Sequence, residues 1–202
     1  MRILAGLGNP GPRYRGTRHN AGYLVVDALA ARWGADFRRL KNADEARARG
    51  CVLLKPRTYM NLSGQAVLAA LTREGATPGE LLVIHDDLDL PLGRLRFRVG
   101  GGAGGQRGVQ DVIDRLGPGF VRLKVGISRP PPEWAPERWV LSRFQEADLP
   151  ILDRVVAAAA DGVEALLSYG LDGAMNRLNG LDLADGAGAD EASGTPGGGP
   201  TG

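Results

Sequence analysis

The chain has one cysteine, Cys51, and two histidines, His19 and His85, among its 202 residues. A single thiol excludes an intrachain disulfide and every multi-cysteine metal site, and two histidines alone are too few to suggest zinc. Cys51 falls in the strand-like run CVLLK and reads as a small buried hydrophobe rather than a nucleophile. No serine sits in a G-x-S-x-G elbow, so an acyl-enzyme of that type has no nucleophile here. No apolar run approaches the ~20 residues that cross a bilayer. MRILAGLGNPG lacks the apolar stretch of a signal peptide, so a cytoplasmic location is expected.

Basic residues are missing from the C-terminal end. All 25 Lys and Arg lie at or before Arg177, whereas four of the 23 acids (Asp182, Asp185, Asp190 and Glu191) lie beyond it. The first 181 residues therefore carry 25 basic against 19 acidic groups, a mild excess compatible with a nucleic-acid partner. Residues 182–202 are Gly, Ala, Ser and Pro with scattered acids, a composition that cannot bury a core and predicts a disordered tail. Such a tail has the charge to shield a basic face. Residues 1–181, part of a chain with 43% hydrophobic residues, are expected to form one domain.

That body alternates strand-like and helix-like stretches. RILAGL, CVLLK, LLVIHDD, RLRFRV and VRLKVGI read as strands. AGYLVVDALAARWG reads as a helix with Leu24, Ala28 and Ala31 on one side and Gly34 closing it. Ser63 is placed to cap the helix GQAVLAALTREG, VQDVIDRLG is a third helix, and LPILDRVVAAAADGVEALLSYG is a long one despite Gly162. The order predicts an α/β fold: a single-domain, three-layer sandwich with a twisted mixed β-sheet flanked by helices. LLVI should be central and buried on both faces. RLRFRV, basic outward and apolar inward, should be one-sided.

Open α/β sheets bind ligands beyond the carboxyl ends of their strands. The first strand runs into Gly8-Asn9-Pro10-Gly11, then Tyr14 and Arg18-His19-Asn20; LLVI runs into His85-Asp86-Asp87. If these strands are parallel neighbours, Asn9, His19 and Asp86 converge. A histidine beside a carboxylate is the usual arrangement for a general base. The bland alternatives are a surface role for His19 and a hydrogen-bonded strand-end role for His85. Gly6-x-Gly8-x-x-Gly11 matches the dinucleotide fingerprint, but Pro10 and Pro12 stand where the phosphate-binding helix should begin. A second cluster, Gly100–Gly105, leads into a helix and reads either as an anion cradle or as a plain linker. Arg94, Arg96 and Arg98 share one strand face, Arg107 opens the next helix, and Arg122 and Lys124 alternate along the following strand. Together they make a candidate phosphate-binding patch, or an ordinary solvated face.

Four stretches in order, GLGNPGPRYRGTRHNAGY, KPRTYMNLSGQAV, HDDLDLPLGRLRFRVGGGAGGQRGVQD and VRLKVGISRP, closely resemble the bacterial peptidyl-tRNA hydrolase family, over about residues 2–180. The resemblance implies a monomeric, metal- and cofactor-free enzyme with no obligate protein partner. Its partner would be peptidyl-tRNA, held at the 3′ CCA end and acceptor stem, and it would cut the ester between peptide and terminal ribose to recycle tRNA from stalled translation. It implies that His19 activates water, that Asp86 supports His19, and that Asn9 helps to select N-blocked substrates. It implies that Tyr59, Met60 and Asn61 meet the tRNA terminus and the peptide, and that Tyr14 contacts tRNA. Arg98 and Lys124 are candidate tRNA contacts from the basic strands. The pattern departs at Gly104-Gly105-Gln106-Arg107-Gly108, where the family usually has G-G-H-N-G. Arg107 cannot accept a hydrogen bond, though it can donate one to a carbonyl or phosphate. Ala103 stands where the family often has His, and Lys124 where it often has Arg. Two rival functions are an RNA-binding relative that does not cleave and a nucleotide-dependent oxidoreductase.

Overall fold

The computed structural model describes residues 1–184. Seven strands form one sheet in the order β2-β3-β4-β1-β5-β7-β6. They are β1 (Ile3–Gly6), β2 (Arg38–Arg39), β3 (Ala43–Ala48), β4 (Cys51–Pro56), β5 (Leu81–Asp87), β6 (Leu95–Val99) and β7 (Val121–Gly126). β4, β1, β5 and β7 run parallel, while β2, β3 and β6 add antiparallel edges. The sheet is mixed, as expected, with β5 central and β6 at the edge. The charged strand β3 (ADEARA) has no apolar alternation and was not legible in the sequence.

Among the described residues the α-helices are α1 (Ala21–Arg32), α2 (Ser63–Glu74), α3 (Arg107–Leu116), α4 (Pro136–Val140) and α5 (Leu149–Leu178), with short 3-10 turns between elements. Alternate strand residues sort into two cores. Leu4, Leu53, Leu82, Ile84 and Leu123 pack with α1 and α5; Ile3, Ala5, Leu54, Leu81 and Val83 pack with α2 and α3. Period-two alternation thus feeds both faces of the sheet, and three layers result. No helix among the described residues is long and apolar enough to cross a membrane.

Several local expectations change. The buried side of α1 is Ala21, Val25 and Leu29 with Gly22, Val26 and Ala30, not Leu24, Ala28 and Ala31. Ser63 does not cap α2; it is the first helical residue, and its Oγ donates to the Met60 carbonyl at 2.7 Å. The long helix reverses at Gly170, whose φ of 72° only glycine adopts easily, and the chain continues as a further helical stretch to Leu178. That stretch packs back, so that a Cβ on Gly162 would lie 2.7 Å from Leu178 Cδ2. Residues 182–184 lie against the turn before β6 and against α5: Asp182 pairs with Arg94, and Arg154 donates to the Leu183 and Ala184 carbonyls. The rest of the expected tail lies outside the described residues.

Two glycines set the approach of α1 to the sheet. A Cβ on Gly6 would lie 2.2 Å from the Gly22 carbonyl oxygen, and one on Gly22 would lie 2.3 Å from the Ile84 carbonyl oxygen. The helix start therefore rests directly on the ends of β1 and β5. The short turn Arg18–Asn20 runs straight into α1, so the same contact places His19 beside the residues that follow Ile84.

Candidate active site

A cleft of about 350 Å³ opens at the carboxyl ends of β1 and β5. Its lining includes Asn9, Tyr14, His19, Tyr59, Met60, Asn61, Asp86 and Arg107. Eight of the ten residues singled out from the sequence therefore meet in one place. The other two, Arg98 and Lys124, are not part of its lining.

His19 Nδ1 lies 2.8 Å from Asp86 Oδ2. The carboxylate can only accept, so Nδ1 carries the proton and Nε2 keeps its lone pair. Burial alone would push the Asp86 carboxyl up. The neighbouring His19, with its hydrogen bond, and the donor of Gln106 together outweigh that and hold Asp86 below the usual carboxylate range. Asp86 is 2% exposed and is held from a second side by Gln106, whose Nε2 donates to Oδ1 at 2.9 Å.

Asn9 is fixed just as tightly. Its backbone N–H donates to Asn20 Oδ1 at 2.9 Å, and Asn20 Nδ2 donates back to the Asn9 carbonyl at 3.0 Å. Asn9 Oδ1 accepts from the Met60 backbone N–H at 2.8 Å. That last bond orients the amide, leaving Nδ2 as the end available to a ligand. Met60 is buried, while Tyr59 and Asn61 on either side are exposed at the rim. Gly108 makes room for Met60, since a Cβ there would lie 2.4 Å from its sulfur.

The far wall is α4, which the sequence did not reveal. It is tied to the turn bearing His19 through Arg18, a buried guanidinium. Arg18 donates to Ser142 Oγ at 2.8 Å, to the Arg143 carbonyl and to Asp148 Oδ2 at 3.1 Å. It also lies over the Trp139 and Phe144 rings, 3.7 and 5.0 Å from their centroids.

The basic patch is smaller than the alternation suggested. β6 and β7 are neighbours, and Arg98 sits opposite Arg122 and Arg96 opposite Lys124. Arg122, however, is 1% exposed: it is covered by the glycine loop and donates to the carbonyls of Gly101 and Gly102. It is a structural residue and no part of a phosphate face. Lys124 is mostly buried, with Nζ 2.5 Å from Asp87 Oδ2, so its charge is already matched. Arg96 and Arg98 remain exposed, with no ion-pair partner among the described residues. Arg107 is exposed on the rim, 3.8 Å from Glu137 on α4. The glycine loop is therefore pinned by Arg122 at one end and by Gln106 at the other, and is more than a plain linker.

The fingerprint-like glycines do not lead into a helix that could hold a pyrophosphate. Gly11 is followed by a three-residue 3-10 turn, and α1 starts only at Ala21. His85 is fully enclosed beside Asp86, and burial lowers its proton affinity, so it is a neutral strand-end residue. Its Nδ1 donates to the Asp86 carbonyl at 2.7 Å. Sequence reasoning missed Asn20, Arg18 and Gln106 as parts of the site. For Asn20 and Arg18 the only signal was adjacency to His19; for Gln106 it was a polar residue at the mouth of a helix.

Residues 3–186 match the family model described as peptidyl-tRNA hydrolase. A peptidyl-tRNA hydrolase of Deinococcus deserti is 46% identical over 91% of this chain and 87% of its own length. That of Thermus thermophilus is 44% identical over 91% and 99%. Among solved structures, the peptidyl-tRNA hydrolase of Acinetobacter baumannii superposes with a TM-score of 0.87 at 34% identity, covering 91% of this chain and 97% of that one.

Proposed function

The chain belongs to the peptidyl-tRNA hydrolase family and hydrolyses peptidyl-tRNA, and on that premise we propose that His19 is the general base, with Asp86 behind it and Asn9 opposite. The observation that carries this reading is the His19–Asp86 pair, 2.8 Å apart with the carboxylate buried and the imidazole partly exposed, at the edge of a cleft that also holds the oriented Asn9 amide.

His19 Nε2 takes a proton from water as the water oxygen attacks the ester carbonyl. Asp86 stabilises the imidazolium that forms. The carbonyl oxygen gains charge and is met by donors, of which Asn9 Nδ2 is one. When the tetrahedral intermediate collapses, the bond to the ribose oxygen breaks. That oxygen takes the proton from His19 and leaves as the 3′-terminal hydroxyl of tRNA, while the peptide leaves as a carboxylic acid that gives its remaining proton, the second from the attacking water, to solvent. No covalent enzyme intermediate is needed.

Met60 and Asn61 border the peptide side, and Tyr14 and Tyr59 offer faces to the terminal nucleotides. A peptide bond next to the ester presents a carbonyl that the Asn9 amide can bind, whereas a free ammonium would have to be desolvated beside Arg107. Arg98, with Arg96, is placed for tRNA phosphates, and Lys124 acts through Asp87 rather than by direct contact. The substrate is made by ribosomes, which goes with a monomeric, cytoplasmic enzyme that recycles tRNA. Release of tRNA from N-acetyl-aminoacyl-tRNA, with unblocked aminoacyl-tRNA as control, tests the reading. Selective multiple turnover is expected. Equal cleavage of both esters contradicts the selection step, and tight binding without release contradicts the hydrolytic one.

Arg107 adds a charge-assisted contact at the rim. Arg107→Asn is expected to raise KM, leave kcat nearly unchanged and reduce the salt slope of log KM by about one. A large fall in kcat at unchanged KM would put Arg107 at the reacting atoms instead.

A further inference from the structure

The two oxygens of Asp86 are both occupied. Oδ2 faces His19, and Oδ1 faces Gln106, a residue 7% exposed at the last position of the glycine loop. Gln106 is also the N-cap of α3, its Oε1 accepting from the Val109 backbone N–H at 2.8 Å. An N–H can meet only the oxygen of the amide, so the orientation is fixed: Nε2 must face the carboxylate. Nε2 also lies 3.2 Å from Met60 Sδ.

Resting on the assignment of His19 as base, the geometry points to Gln106 as a positioning residue that clamps Asp86 Oδ1 to the start of α3 and so keeps Oδ2 aimed at His19 Nδ1. A carboxylate with one partner is free to turn about its last bond and swap oxygens; a second donor, itself anchored to a helix, removes that freedom. The donor also favours the ionised form of Asp86 at the moment when His19 takes up a proton.

The clamp closes a ring. From His19 it runs through Asp86, Gln106 and the Met60 sulfur, then from the Met60 N–H to Asn9, from Asn9 to Asn20, and along the chain back to His19. Gln106 is the only side chain in the ring contributed by α3 or the glycine loop. It therefore couples the position of that loop to the alignment of the base and of the Asn9 amide.

Gln106→Glu tests this. It preserves size and the oxygen that caps Val109, but replaces the donor with a second acid beside Asp86. The expected result is a fall in kcat on the order of 10–100-fold with little change in KM. The acid limb of the pH profile should move to higher pH, because the pair binds its proton more tightly. Gln106→His, which restores an N–H donor, should recover most of the rate and the original limb. Where the glutamate variant does not fold, Gln106→Leu removes the same donor and should move the limb the same way. A merely structural role would lower the melting temperature and leave the pH profile of the folded enzyme in place. Wild-type kcat and an unmoved acid limb in Gln106→Glu or Gln106→Leu would overturn the clamp. His19→Ala, assayed alongside, separates the two claims: if it turns over normally, the base assignment itself fails, and the clamp fails with it.

Discussion

Replacing His19 with alanine is expected to lower kcat on N-acetyl-aminoacyl-tRNA by about 10²–10⁴-fold, the usual contribution of a positioned general base. KM should stay near the wild-type value, because the imidazole does its work in the transition state. The fold should survive, since Asp86 keeps its bond from Gln106 and is not left without a donor. Asp86→Asn should fall in the same range for a different reason. An asparagine that keeps the Gln106 bond turns its own N–H₂ towards Nδ1, which forces the proton onto Nε2, the atom that must accept from water. Single-turnover cleavage and filter binding of the same tRNA separate chemistry from affinity. Turnover within tenfold of wild type in both variants would remove the pair from the mechanism.

Gly22→Ala is expected to cost at least about 3 kcal/mol of stability, at the top of the range for overpacking a close-packed site. The added methyl would stand 2.3 Å from the Ile84 oxygen, 2.5 Å from the Leu7 nitrogen and 2.7 Å from the Leu7 oxygen, all backbone atoms that cannot swing aside. Relief requires α1 to back away from the sheet, and His19 lies on the turn immediately before that helix. The melting temperature should therefore drop by about 6–12 °C, and the folded remainder should lose activity as His19 leaves Asp86. Gly79→Ala, where the nearest atom is 3.8 Å away, is the control and should be close to neutral. A Gly22→Ala melting temperature within about 2 °C of wild type would show that α1 is not held by this contact.

The heart of the site was legible because it depends on strand ends. Apolar runs that stop in Asn9 and in Asp86 can be placed side by side from the pattern alone, and β1 and β5 are indeed parallel neighbours. The face of α1 was not legible, because AGYLVVDALAA has a single charged residue, Asp27, and too little polar contrast to fix the buried side. Arg122 defeated the alternation rule for another reason. Its partners are the carbonyls of Gly101 and Gly102, 21 and 20 residues away, and only the folded loop brings them over it. Gln106 is likewise 20 residues from Asp86, and no spacing rule links a loop residue to a strand-end acid. Gly170 ends a helix in the sequence pattern as it does in the fold, but the course of the chain beyond a left-handed glycine is decided by the core it returns to.

Arg18 has a mechanical consequence. Its guanidinium joins the far wall of the cleft to the turn that carries His19, through three acceptors and two aromatic rings. Moving that wall outward would pull on the turn and draw the imidazole away from Asp86. The cleft thus has one fixed jaw. A bulky residue at the end of the peptide must be accommodated on the opposite jaw, at the exposed glycines 104 and 105, where there are no side chains to displace. Tolerance for different peptides then comes from the open space over that bare backbone and not from movement of the loop, which Gln106 ties to Asp86.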